Sequence, residues 1–104
     1  MTKMTLALCL LLASARPRDP VFSPEPDPSY KLIPAPDNTY GYDIYVHGHR
    51  MIHQASIPGL PGVRGFVRKK DAERVAALVI QKLEHNILPP AVTRHELDSL
   101  HIQL

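Results

Sequence analysis

Proline placement constrains this chain more than any other feature. Eleven prolines occur in 104 residues, and seven of them fall between Arg16 and Asp37. Each removes an amide donor, pins its own φ and pushes the preceding residue away from helical geometry. The run Arg16-Pro-Arg-Asp-Pro-Val-Phe-Ser-Pro-Glu-Pro-Asp-Pro-Ser29 therefore excludes a helix or a sheet interior and reads as an extended spacer. We take residues 16–39 as a proline-rich, disordered linker, in which Tyr30-Lys-Leu-Ile33 has the composition for a short edge strand. The run lacks a repeated PxxP core with flanking arginine, so a tether is favoured over a ligand for a proline-binding groove.

Ahead of the linker, Met1-Thr-Lys3 is a short positive start, followed by the apolar run Met4–Leu12 and the small residues Ala13-Ser-Ala15. This is the layout of a secretory signal, with cleavage expected after Ala15. The run is too short to span a bilayer core, which needs roughly 20 residues. Cys9 is the single cysteine, and it has Leu8 where a lipidation signal wants a small residue, which argues against a lipid anchor. Removal of residues 1–15 would leave no thiol, and with it no disulfide, thiolate metal site or cysteine catalysis. The expected location is the periplasm or cell surface, with no stable membrane span after removal of the signal. A net charge of +2 is too small to imply a nucleic-acid partner.

The foldable part is residues 40–102. Tyr40-Gly-Tyr-Asp-Ile-Tyr-Val46 alternates, with Tyr42, Ile44 and Val46 on one face and Asp43 and Tyr45 on the other, as in a half-buried strand. His47-Gly48 supplies a tight turn, and Arg50–Ile57 returns as a second strand. A two-residue turn there sets Ile44 opposite Met51 and Tyr42 opposite His53. A shift of one residue reverses those faces, so the face of His53 stays open. Pro58-Gly-Leu-Pro-Gly62 forbids regular structure, and Leu60, Val63 and Phe66 are its expected buried anchors. Ala72, Val75, Ala76, Val79, Ile80 and Leu83 then form one apolar stripe of a helix of about four turns. After Pro89-Pro90, Thr93-Arg-His-Glu96 reads as a capping box opening a short helix with Leu97 and Leu100. The expected fold class is α+β: a small two- to three-stranded antiparallel sheet packed by one long amphipathic helix and a short C-terminal helix.

No nucleophile–base–orienter set can be assembled, so no catalytic residue is assigned; His53 and Asp43 are the only acid–base candidates near each other. His47, His49 and His53 lack a fourth ligand at a recognisable spacing, and neither a metal nor a cofactor is assigned. The candidate binding residues are His53, Gln54, Leu60, Arg64, Phe66 and Lys69. They serve either a protein partner or, at the basic cluster Arg64, Arg68, Lys69, Lys70 and Arg74 by the helix entrance, a small anion. A sheet this small has exposed edges that can pair with a partner or a second copy.

Tyr40-Gly-Tyr-Asp-Ile-Tyr-Val, Ile52-His-Gln, Ile57-Pro, Pro61-Gly, Gly65-Phe66, Asp71-Ala, Val75-Ala, Leu78-Val-Ile, Lys82, Pro89-Pro-x-Val92 and Glu96-Leu97 follow one another in an order that resembles a family of small exported bacterial proteins. That family is catalogued as domain of unknown function 4907 and is typical of Bacteroidota. The resemblance runs from Tyr40 to Ile102 and implies an exported envelope protein of unassigned activity. The chain departs from the family pattern at His47-Gly48, where Asp-Gly is favoured, and at Arg68, where a capping hydroxyl is. The expectation for function is a non-enzymatic envelope module that binds a protein partner.

Overall fold

The computed structural model describes residues 26–104; the signal-like run and most of the linker lie outside the described residues. The expected α+β architecture is present. Its sheet has three antiparallel strands, β1 (Ser29–Ala35), β2 (Thr39–Val46) and β3 (His49–Gln54), with β2 in the middle. Two helices follow, α1 (Lys69–Glu84) and α2 (Arg94–Ser99). Among the described residues, no helix is long and apolar enough to cross a membrane.

β1 contains Tyr30–Ile33, the stretch with the composition for a short edge strand, and extends it to Ser29–Ala35, inside the residues assigned to the linker. The strand tolerates Pro34 because of where its nitrogen points. Pro34 faces Tyr40, whose N–H donates to Phe66 O at 2.9 Å and whose carbonyl accepts from Phe66 N–H at 2.7 Å. Tyr40 thus spends both backbone groups on its other side. Pro34 opposes it in a non-hydrogen-bonded pair, with its nitrogen at the open edge where no ladder bond is lost. The turn joining β1 to β2 places Asp37 and Asn38 at φ 61° and 59°, a conformation these two residue types tolerate.

At the β2–β3 turn, His47 and Gly48 have φ values of 52° and 80°, the positive pair a two-residue hairpin turn requires. Val46 pairs with His49 and Tyr45 with Arg50, after which the register shifts between Ile44 and Tyr45. Met51 is the extra residue of a bulge. Ile44 therefore faces Ile52, and Tyr42 faces Gln54, which corrects the uninterrupted register. The bulge also settles the adjacent apolar residues: Ile52 packs against the core, while Met51 sits with Leu83 and Glu84 of α1. A regular strand would send one of them to the opposite face.

One face of the sheet carries the core. Tyr42 and Ile44 meet Ala72, Val75, Ala76 and Val79 of α1, with Phe66, Ile57, Val92, Leu97 and Ile102 completing the cluster. The stripe of α1 is the predicted one, with Ile80 and Leu83 partly buried at its flank. Phe66 is 0% exposed and lies 6.3 Å from the Tyr42 ring, nearly parallel to it. Val63, expected as a buried anchor, is 71% exposed; the glycine and proline turns carry its side chain outward.

Two polar contacts, one of them buried, close the C-terminal part onto α1. Asp71, 1% exposed, accepts from Arg68 Nε at 3.0 Å and from the Gln103 N–H at 2.9 Å. Arg68 is the N-cap without a side-chain cap bond, so its guanidinium reaches forward to Asp71 where a capping hydroxyl would reach an amide. Lys82 donates to Ala91 O at 2.6 Å and to Glu96 Oε1 at 2.8 Å. Glu96 also completes the predicted capping box with Thr93.

Candidate functional site

Strand parity puts Lys31 of β1, Asp43 and Tyr45 of β2, and Arg50 and His53 of β3 on the face turned away from α1. Asp43 is the anchor of this face. It pairs with His53 in register, and because Tyr40 bonds on the β3 side, alternation makes Asp43–His53 a non-hydrogen-bonded pair. Such pairs bring Cα atoms to about 4.5 Å and side chains close together. His53 Nδ1 lies 2.6 Å from Asp43 Oδ1, and Arg50 NH1 lies 3.6 Å from Asp43 Oδ2.

The Asp43 side chain is 7% exposed, whereas the imidazole and the guanidinium stay about half exposed. With a carboxylate at Nδ1, that nitrogen donates to Asp43 and Nε2 is turned away from it. Lys31 adds its ammonium above the Tyr45 ring, 5.2 Å from the centroid. Beside this row an open concavity of about 460 Å³ is lined by Ser29, Lys31, Tyr45 and the His47–Asp27 pair. His47 there is held by Asp27 through its backbone N–H and through Nδ1, each at 2.7 Å.

The six residues singled out as a binding set do not form one surface. His53 lies on the outer face, and Gln54, next along β3, turns to the core side and donates from Nε2 to Ser56 O at 2.7 Å. Leu60 packs against the core, and Phe66 has no exposed surface with which to meet a partner; both are structural anchors. Arg64 is exposed, its carbonyl accepting from Ile57 N–H at 3.2 Å, and Lys69 is exposed at the first turn of α1. At the helix entrance Arg68 and Arg74 both turn toward Asp71, at 3.0 and 3.9 Å.

What the set omitted is Lys31, Tyr45 and Arg50. Tyr45 was legible from its parity with Asp43. Arg50 was equally close to hand, as the residue facing Tyr45 across a two-residue turn. Lys31 lies in Tyr30–Ile33, the stretch with the composition for a short edge strand, but the sequence supplies no register to β2, so its face stayed open. Among the described residues no group of three or more His, Cys, Asp or Glu side chains converges as a metal site.

Fold and site together define a small α+β domain with one face of its sheet sealed by helix and connector and the other, among the described residues, uncovered. The chain belongs to the family described as Domain of unknown function (DUF4907), whose model matches residues 33–99, from within β1 to the end of α2. No curated protein and no solved structure matches it.

Proposed function

We propose that this chain is an exported, non-enzymatic protein-interaction module of the cell envelope that engages its partner through the outer face of the sheet. The observation that carries the reading is the preorganised row on that face: His53 and Arg50 held by the buried carboxylate of Asp43, beside Tyr45. Tyrosine and arginine are the side-chain types that dominate binding energies at protein interfaces. Side chains already held in place lose less entropy on association.

Edge pairing is the weaker route to a partner. β3 carries a bulge and three cationic or ionisable side chains, His49, Arg50 and His53, and β1 carries Pro34, the devices that blunt an edge. Catalysis is disfavoured although His53 and Asp43 form a hydrogen-bonded pair. Neither lines the adjoining concavity, and a half-exposed imidazole lacks the water-excluded surroundings that strengthen acid–base chemistry. Anion capture at the helix entrance is the second reading, supported by exposed Lys69, Lys70 and Arg64 and weakened because Asp71 occupies Arg68.

A photo-crosslinking residue at Tyr45, with the same residue at Glu73 on the water side of α1 as control, tests the proposal in producing cells. One defined cross-linked partner from Tyr45 and none from Glu73 is expected. Equal capture at both positions, or none at either, overturns it. Recovery of the chain in the cytoplasm with Met1 retained would overturn the exported location.

A further inference from the structure

The exposed charges of the sheet's outer face have one sign. Across the three strands the ionised side chains are Lys31, Asp43 and Arg50, with His49 and His53 ionisable. Asp43 alone is acidic, and it is buried beneath His53 and Arg50. A partner approaching this face meets an ammonium, a guanidinium and an imidazole around one aromatic ring, while the balancing carboxylate lies below. Among the described residues lining the adjoining concavity the acidic one is Asp27, already paired with His47. From this we propose that the partner segment is acidic: an extended stretch of protein whose carboxylates reach Lys31 and Arg50 while an adjoining side chain lies against Tyr45 in the 460 Å³ concavity. The inference rests on the outer-face reading above and names its partner.

Geometry supports carboxylates over other anions. Arg50 touches Asp43 through NH1 at 3.6 Å, which leaves most of its donor fork for a second carboxylate. An anionic membrane surface is recognised by clusters of about four to eight basic residues, and nucleic acid by a concentrated basic stripe. Two fixed cations flanking one aromatic ring match neither and suit a peptide carrying one or two carboxylates. Helix α1 offers more cations, but there they alternate with Asp71 and Glu73, and Asp71 draws in Arg68 and Arg74.

The test uses the nitrogen-15-labelled full chain titrated with a short peptide of alternating Glu and Ser, its Gln/Ser counterpart, phosphatidylglycerol vesicles and a single-stranded oligonucleotide. Amide shifts centred on Lys31, Tyr45, Arg50 and His53 with the Glu peptide alone are expected, weakening as salt rises. Lys31→Gln should weaken binding about two- to fivefold, the range of a single exposed ion pair. Lys31→Glu combined with Arg50→Glu should abolish it, and Arg94→Glu should leave it unchanged. Unchanged melting of Lys31→Gln separates lost contact from lost fold. Absence of binding, equal binding of the Gln peptide, preference for vesicles or oligonucleotide, or shifts centred on Arg64 and Lys69 would each overturn the proposal. Should the partner cross-linked at Tyr45 still be captured by the Lys31→Glu, Arg50→Glu variant, the acidic partner falls while the interaction module stands.

Discussion

The His53 imidazole is tied to the Asp43 carboxylate at 2.6 Å across the β2–β3 pair, and the carboxylate is buried while the imidazole is half exposed. Removing the imidazole therefore leaves a buried charge with only Arg50, 3.6 Å away. His53→Ala is expected to destabilise the domain by about 1–3 kcal/mol, the range for leaving a buried acceptor without its partner. Asp43→Asn in the His53→Ala background should add less than it does alone, since the two share one interaction. Urea unfolding of the four proteins gives the coupling; additive losses would show that the contact contributes nothing.

Two glycines hold the connector against the sheet. A Cβ on Gly41 would strike the Gln54 carbonyl and lie 2.8 Å from Ala55 Cα, and one on Gly65 would strike the Tyr40 carbonyl. Backbone cannot yield there as a side-chain tip can. Each glycine-to-alanine change should destabilise by about 1–3 kcal/mol, as overpacking does. Urea midpoints would check this, with Gly48 as the contrast: its Cβ would meet open space, so any penalty there comes from its positive φ alone.

These glycines belong to Tyr40-Gly-Tyr and Gly65-Phe66, two of the strings that carry the family resemblance, and their close approaches give a structural reason for them. The helix stripe, the capping box and the β2 strand were legible because periodicity and capping are local. Tyr30–Ile33 was legible as a short edge strand from its composition, but the extension to Ala35 was obscured by Pro34, which counts against a strand until the Tyr40–Phe66 bridge shows its nitrogen facing outward. The face of His53 was beyond reach because one extra residue, Met51, reverses parity along β3, and a bulge has no reliable local signal. The outer-face row was only partly legible for the same two reasons: it needs β1 in place and the bulge counted.

Asp71 binds the last turn of the chain to the start of α1. Its Oδ2 accepts from both Arg68 Nε and the Gln103 N–H, and Arg68 also donates to His101 O at 3.4 Å. Asp71→Ala should destabilise the protein by about 1–3 kcal/mol and release the tail before the core. Hydrogen exchange at the Gln103 amide is the direct readout, and it should rise more than exchange at Val75. Uniform acceleration across α1 and the tail would instead show that the carboxylate acts only on global stability.

Glu96 makes stability depend on acidity. The hydrogen bond from Lys82, and then that from the Thr93 N–H, hold its carboxyl below the ordinary glutamate value. The unfolded chain, which lacks both, takes up the proton first as pH falls. The stabilisation is therefore complete above the unfolded value of about 4.3 and is lost as pH falls through the lower folded value. Below that range Lys82 keeps Ala91 O as its partner at 2.6 Å, so α2 should loosen from α1 without the sheet opening. Glu96→Gln should lower the melting temperature at neutral pH and flatten its decline between pH of about 5 and 3. Parallel melting curves for the two proteins across that range would place the acid sensitivity elsewhere in the fold.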